Sequence, residues 1–311
     1  MNYAVIDLGS NSMRLSIYNC INDQATKIFS RKEIAGLISY VSNGSLSIEG
    51  IQKTCDVLDS FKETSAKYVE PSNIHLFATA SLRNLKNKEK VIKSITEKTT
   101  LIPDILDGNE EAALGFAGVS KFVNCNNGIM IDIGGASTEL VLFRDYKAVE
   151  LISLPIGCLN LSLDYVGEII PNAEEIKQIK EVIKKHFSQI TWSKNVQCSR
   201  MVGVGGTLRA AFKLSRALFN LTPEKDIFDA GYIKEINRLI RNRKNNIYHT
   251  LYRHTPERLL TAPTGLIILQ HAIKTFGCDT ILVSKYGLRE GYLFDRVLKP
   301  NYEHDANDEN K

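Results

Sequence analysis

The 311-residue sequence has no apolar run approaching the roughly 18 residues that span a bilayer, which excludes a membrane-spanning helix. It opens MNYAVIDLGS, with neither a basic start nor an apolar leader core, so no secretory signal is expected there. Six cysteines (Cys20, Cys55, Cys125, Cys158, Cys198, Cys278) are scattered and form no C-x-x-C pair. That spacing argues against a disulfide framework or a zinc site and fits reduced thiols in the cytoplasm. Charge of one sign is also lacking: 39 Lys and Arg against 35 Asp and Glu leave a net +4. That balance is mild and says little alone; no membrane, DNA or RNA partner is expected. The end of the chain, residues 301–311, reads NYEHDANDENK and is expected to be a disordered acidic tail. Without it the body is more basic, which suits a polyanionic ligand. A P-loop is missing, since no Gly-Lys-Ser/Thr follows a glycine-rich turn, and no nucleophile elbow is present.

What the chain does contain is a repeat. Residues 4–12 read AVIDLGSNS and residues 129–137 read IMIDIGGAS, so Asp7 aligns with Asp132, Gly9 with Gly134 and Ser12 with Ser137. In each copy an apolar strand ends on an acid and a small-residue turn. Two more strand-like runs follow: MRLSIYNC and ATKIFSRKEI around a turn at Asn22-Asp23, then ELVLF and KAVELISL around Arg144-Asp145-Tyr146. Beyond each meander the pattern becomes helix–strand alternation. Ile48, Ile51, Cys55, Leu58 and Phe61 share a helical face behind Ser47 as N-cap, His75–Ala78 and Leu101–Leu106 read as strands, and Asn109 is placed to cap a helix starting at Glu110. In the second half helices are expected over Ala173–Phe187, Thr207–Ser215, Thr264–Phe276 and Gly291–Leu298, with strands at Ser199–Val204 and Thr280–Val283. The expected architecture is two α/β halves with a cleft between them.

Asp7-Leu8-Gly9-Ser10-Asn11-Ser12 offers a carboxylate for a metal and backbone N–H groups for an anion, with Arg14 in reach of the same anion. Asp132-Ile133-Gly134-Gly135-Ala136-Ser137-Thr138-Glu139 repeats this and adds a second carboxylate. A lone copy reads best as a hairpin turn; two copies with the acid in the same place favour a ligand site. A third turn, Gly203-Val204-Gly205-Gly206-Thr207, lies between a strand and a helix and suits phosphate at a helix N-terminus, or simply close packing. Of Glu110 and Glu111, one serves the helix N-terminus and the other is available as a general base; spacing does not choose between them. Arg238, Arg241, Arg243, Lys244, Arg253 and Arg258 form a basic stretch that reads first as a solvated helix face.

Taken in order, six motifs resemble the exopolyphosphatase / guanosine pentaphosphate phosphohydrolase (Ppx/GppA) family, in its short two-domain form. They are the two acid-led turns and the Gly203–Thr207 turn, together with Ala78-Thr79-Ala80-Ser81-Leu82-Arg83, Gly108-Asn109-Glu110-Glu111-Ala112 and Gly287-Leu288-Arg289-Glu290-Gly291. The resemblance covers about residues 3–298. It implies two actin-like (ribonuclease H-like) ATPase domains, residues 1–122 and 123–300, with an interdomain cleft and the last helix packing at the interdomain interface. It implies Glu111 as the base, Asp7, Asp132 and Glu139 as acids linked to Mg²⁺, and a possible role for a monovalent cation such as K⁺. Phosphate contacts are implied for Gly9, Ser10, Asn11, Ser12, Arg14, Arg83, Gly134, Gly135, Ala136, Ser137, Gly205, Gly206 and Thr207. The implied activity is release of orthophosphate from inorganic polyphosphate, with guanosine pentaphosphate (pppGpp) hydrolysis or non-hydrolytic binding as alternatives and a homodimer by analogy. Two departures stand out. Ala136 replaces a family glycine, where positive φ would make a methyl costly. Ala35-Gly36-Leu37-Ile38-Ser39-Tyr40 replaces an Arg-Leu-Gly-x-Gly stretch.

Overall fold

The computed structural model describes residues 1–21, 24–222, 226–243 and 247–299. The Asn22-Asp23 turn, Lys244 and the 301–311 tail lie outside the described residues. The chain divides into two compact units: Met1–Glu111 with the segment from Gly291 onward, and Ala112–Glu290. Both divisions fall inside helices, a place that hydrophobic patterning does not mark.

In the first unit β1 (Asn2–Leu8), β2 (Met13–Ile21) and β3 (Gln24–Glu33) form the expected antiparallel meander. A two-residue hairpin, β4 (Val41–Ser42) and β5 (Ser45–Leu46), leads into α1 (Ile48–Ser65). The Ser47 hydroxyl caps α1 by accepting from the Gly50 N–H at 3.1 Å. Then come β6 (Ile74–Ala78), α2 (Ala80–Arg83), α3 (Lys88–Thr99), β7 (Pro103–Ile105) and the start of α4 (Gly108–Ser120). The sheet order is β3-β2-β1-β6-β7, with β1, β6 and β7 parallel. Alternation sends Ala4, Ile6 and Leu8 of β1 into a core with Ile51, Leu58 and Phe61 of α1 and Val91 and Ile95 of α3.

The second unit repeats the design. β8 (Gly128–Ile133), β9 (Thr138–Arg144) and β10 (Lys147–Leu154) form a meander. They are followed by α5 (Cys158–Tyr165), α6 (Ala173–Phe187), β11 (Arg200–Val204), α7 (Gly205–Phe219), β12 (Ile227–Asp229), α8 (Gly231–Arg241), α9 (Ile247–His254), α10 (Ala262–Phe276), β13 (Thr280–Val283) and α11 (Leu288–Tyr292). The sheet order β10-β9-β8-β11-β13-β12 matches the first sheet strand for strand, with β12 added antiparallel at the edge. Ile129, Ile131 and Ile133 face the main core with α6, α7 and α10, while Met130, Val141, Phe143 and Val202 face Ala112, Phe116 and Val119 of α4. Both faces of the sheet are therefore covered, as parallel sheets require.

Two boundary expectations change. Asp107, not Asn109, caps α4: its Oδ1 accepts from the N–H groups of Asn109 and Glu110 at 2.7 and 2.9 Å. The final helix is α only to Tyr292 and continues as a π-helical turn, Leu293–Leu298. That turn belongs to the first unit, where Tyr292 packs against Phe77 at 4.8 Å between ring centroids.

Candidate active site

The first acid-led loop is held by its carbonyls. Ser10 and Asn11 C=O accept from the N–H groups of Ile38 and Gly36 at 3.2 and 2.9 Å, with Gly36 at φ +58°. In a trans peptide C=O and N–H point opposite ways, so the Asn11 and Ser12 N–H groups point away from that segment. A Cβ on Gly9 would come within 2.9 Å of the Ser12 carbonyl, so the turn closes too tightly for any other residue there. The Gly36–Ile38 segment that departs from the family pattern is thus what orients this loop. The Ser81 hydroxyl fixes the loop's other side by donating to Leu8 C=O.

The second loop uses the same device. Gly134 and Gly135 C=O accept from the first N–H groups of α5, those of Cys158, Leu159 and Asn160, at 2.9 to 3.1 Å. The Gly135 and Ala136 N–H groups are turned the other way, the arrangement an anion nest needs. Gly157 lies so close beneath that a Cβ there would overlap Gly135. Ala136 does not take a positive φ, so the strain expected from its methyl is absent. The Ser137 side chain is buried, and its carbonyl closes the turn on the Gly134 N–H at 2.9 Å.

Strand register shows how the two copies have diverged. Residues directly opposite on neighbouring strands present side chains to one face. In the first sheet that row is Asp7, Arg14 and Lys32. In the second it is Asp132, Glu139 and Ser153. The repeat therefore carries two cations behind its acid in one copy and a second carboxylate in the other. Glu139 is 3% exposed and its Oε1 accepts from the Ser153 hydroxyl at 2.8 Å. Asp132 Oδ1 occupies the space where a Cβ on Gly205 would be, and Gly205 has φ +81°, so only glycine is accommodated in the third loop. Two neighbouring carboxylates fit Mg²⁺, which takes one or two carboxylates with water and substrate oxygens instead of a full protein cage. Among the described residues no three His, Cys, Asp or Glu side chains converge as such a cage.

Other candidates sort by their contacts. Glu110 reaches back to the Asp107 N–H at 2.9 Å, completing a capping box, and pairs with Arg296 of the π-helical turn. Glu111 has no part in that box. It pairs with Arg83 at 3.1 Å, its side chain 11% exposed, and the same guanidinium nitrogen donates to Leu106 C=O at 2.9 Å. The phosphate role read for Arg83 is thus joined to a contact with the base candidate. The Thr207 side chain is 1% exposed and donates to Ile133 C=O at 2.8 Å, so its hydroxyl ties α7 to β8 and a phosphate contact there would fall to its backbone N–H. Arg258 is a correction. Read as a solvated cation, it lays its guanidinium against Gly206, where a Cβ would overlap it. Asp107 was findable from its three-residue spacing to Glu110, and Lys32 and Ser153 from the meander register. Arg258 had no local signal, because only the fold brings its turn to the third loop.

Two meander-first α/β units, each with an acid and a small-residue turn at its first strand end, define the actin-like fold. A solved Aquifex aeolicus PPX-GPPA enzyme is 27% identical with a TM-score of 0.77, covering 94% of this chain and 98% of that one. An exopolyphosphatase from Cytophaga hutchinsonii has a TM-score of 0.81 over 94% of this chain and 97% of that one, at 20% identity, a likeness of fold alone. The Ppx/GppA phosphatase family model matches residues 16–300, and the chain belongs to that family. Among curated proteins, the guanosine-5'-triphosphate,3'-diphosphate pyrophosphatase of Vibrio parahaemolyticus is 27% identical over 301 residues, 95% of this chain and 59% of that protein. A bifunctional 3-dehydroquinate synthase/phosphatase of Fusobacterium nucleatum is 29% identical over 94% of this chain and 46% of that protein. The chain thus spans well under two thirds of these curated relatives. Among the described residues no helix is long and apolar enough to cross a membrane.

Proposed function

We propose that the chain is an exopolyphosphatase that hydrolyses the terminal phosphoanhydride of inorganic polyphosphate. The observation that carries this is the division of labour between two adjacent glutamates: capping and Arg296 occupy Glu110, whereas Glu111 is held by Arg83. In this reading Glu111 accepts a proton from water as the water oxygen bonds to the terminal phosphorus. The bridging P–O bond breaks, and orthophosphate and a chain shorter by one phosphate leave. Arg83 orients the Glu111 carboxylate, so water is positioned before attack, which is where phosphoryl transfer gains most of its rate. Each unit has its own backbone nest for phosphate oxygens, the N–H groups of Asn11 and Ser12 in the first and those of Gly135 and Ala136 in the second. Arg14, beside Asp7 in register, supplies a matching cation. Asp132 and Glu139, with Asp7 in the set the family resemblance implies, would hold Mg²⁺, which offsets charge on the phosphate oxygens when bound.

The names of the curated relatives favour a second substrate, guanosine pentaphosphate, whose terminal phosphoanhydride is the same bond. Ala136 takes no positive φ, which removes backbone strain as a ground for the non-hydrolytic alternative. A cytoplasmic homodimer belongs to the same proposal and is checked by light scattering. Orthophosphate release from polyphosphate and guanosine pentaphosphate, assayed in parallel with and without Mg²⁺, tests the activity. Release from polyphosphate supports the first reading. Release only from the nucleotide replaces it with the second.

A further inference from the structure

α7 leaves the third glycine loop carrying Arg209, Lys213 and Arg216. At about 100° per residue these three and Gly206 lie within an arc of roughly 80° on the helix surface. They form one stripe that starts at the glycine against which Arg258 lies and runs about 15 Å along the helix, at 1.5 Å per residue. α9 packs beside α7, and its last residues close a cavity of about 420 Å³ on this stripe. The cavity is lined by Lys213, Arg216, Ala217, Leu221, Arg253 and His254, with no carboxylate among the described residues.

Three features separate this patch from an ordinary solvated helix face. Lys213, Arg216 and Arg253 form no ion pair among the described residues, whereas Arg238 on the equally basic α8 is neutralised by Glu235, with Nε to Oε2 at 2.8 Å. The Arg216 guanidinium is held over the Phe212 ring at 5.7 Å, yet its buried Nε has no hydrogen-bond acceptor among the described residues. Continuity is the third: the Thr255–Arg258 turn links this cavity to the third glycine loop along the chain. Lys213, Arg216 and Arg253 gathered on one cavity, with no acid among the described residues lining it, favour an anion there. A compact anion would use one end of the stripe; a long linear anion would use all of it.

We propose that the stripe from Arg209 to Arg216, with Arg253 and His254, binds the length of a phosphate chain that trails behind the phosphates at the third glycine loop. This rests on the reading of that loop as a phosphate site and names the substrate as a chain of many phosphates. The test uses the full chain in a Glu111→Gln background, so that no ligand is consumed. Calorimetric affinities are measured for tripolyphosphate and for polyphosphate of about a hundred phosphates, expressed per chain end.

The long chain is expected to bind at least tenfold tighter than tripolyphosphate. In Lys213→Ser/Arg216→Gln/Arg253→Ser that ratio is expected to fall toward one, and lysine at 216 and 253 to restore much of it. Should the triple variant fail to fold, Lys213→Ser/Arg253→Ser, both exposed positions, is expected to lower the ratio at least threefold. A ratio unchanged in the folded variants, or no preference for the long chain to begin with, overturns the proposal. Loss of the preference in a protein that releases no orthophosphate in its Glu111 form would leave the track standing and remove the hydrolase reading.

Discussion

Glu110 and Glu111 are neighbours of identical chemistry, and their environments assign them different tasks. Glu111→Gln keeps the shape and the helix start but removes the proposed proton acceptor. Turnover is expected to fall by about a hundredfold or more, with the thermal midpoint nearly unchanged. Glu110→Gln weakens the capping box and the Arg296 pair. It is expected to cost about 1 kcal/mol of stability in a denaturant titration, with turnover largely retained. The reverse pattern would mean that the base is Glu110. Gly205→Ala places a methyl in the left-handed region and against Asp132 Oδ1. A loss of at least 1–2 kcal/mol is expected in the same titration, with weaker Mg²⁺ dependence of activity. Ala136→Gly relieves no strain. It is expected to lower stability by roughly 0.4–1 kcal/mol through a looser unfolded chain.

Strands and helices were legible where periodicity was long: α6, β10 and β13 fall on the expected residues, and α1 starts behind its expected cap. The repeat was legible as well, because the alignment of Asp7 with Asp132 reappears as matching sheet orders. Hidden were the short α5 and α9, whose apolar faces are too brief to register, and the approach of Arg258 to Gly206, which only the fold creates. Partly or fully buried titratable groups on and beside these elements set a pH window. Burial holds His75 on β6, His186 on α6 and His271 on α10 below the ordinary imidazole value. Below about pH 6.5 the unfolded chain therefore takes up protons that the folded chain refuses, and stability is lost as pH falls. Burial, with Cys198 and Asp279 nearby, pushes the Cys278 thiol up to about 12. From about pH 8.5 upward the unfolded chain releases a proton that the folded chain keeps, so stability is lost as pH rises toward that value. Denaturation midpoints are expected to peak between these limits. His271→Gln should flatten the acid side and Cys278→Ala the alkaline side; slopes unaltered in both would refute the assignment.

Taken whole, the chain uses one meander twice and specialises each copy. The first presents Asp7 with Arg14 and Lys32 and ends at the Arg83–Glu111 pair; the second presents Asp132 with Glu139 beneath a glycine loop that Arg258 covers. In the proposed reading the first copy supplies the proton acceptor and the second supplies the adjacent pair of carboxylates for the metal. Removing Mg²⁺ with a chelator is expected to abolish turnover while leaving the fold intact by circular dichroism, since the cores are complete without it. The central claim is that Glu111 activates water against a terminal phosphate. Its most direct test is orthophosphate release from long-chain polyphosphate with Mg²⁺ present, for the native chain and Glu111→Gln side by side. Steady release by the native chain, reduced about a hundredfold or more in the variant, is the predicted result. Equal release by both would contradict it.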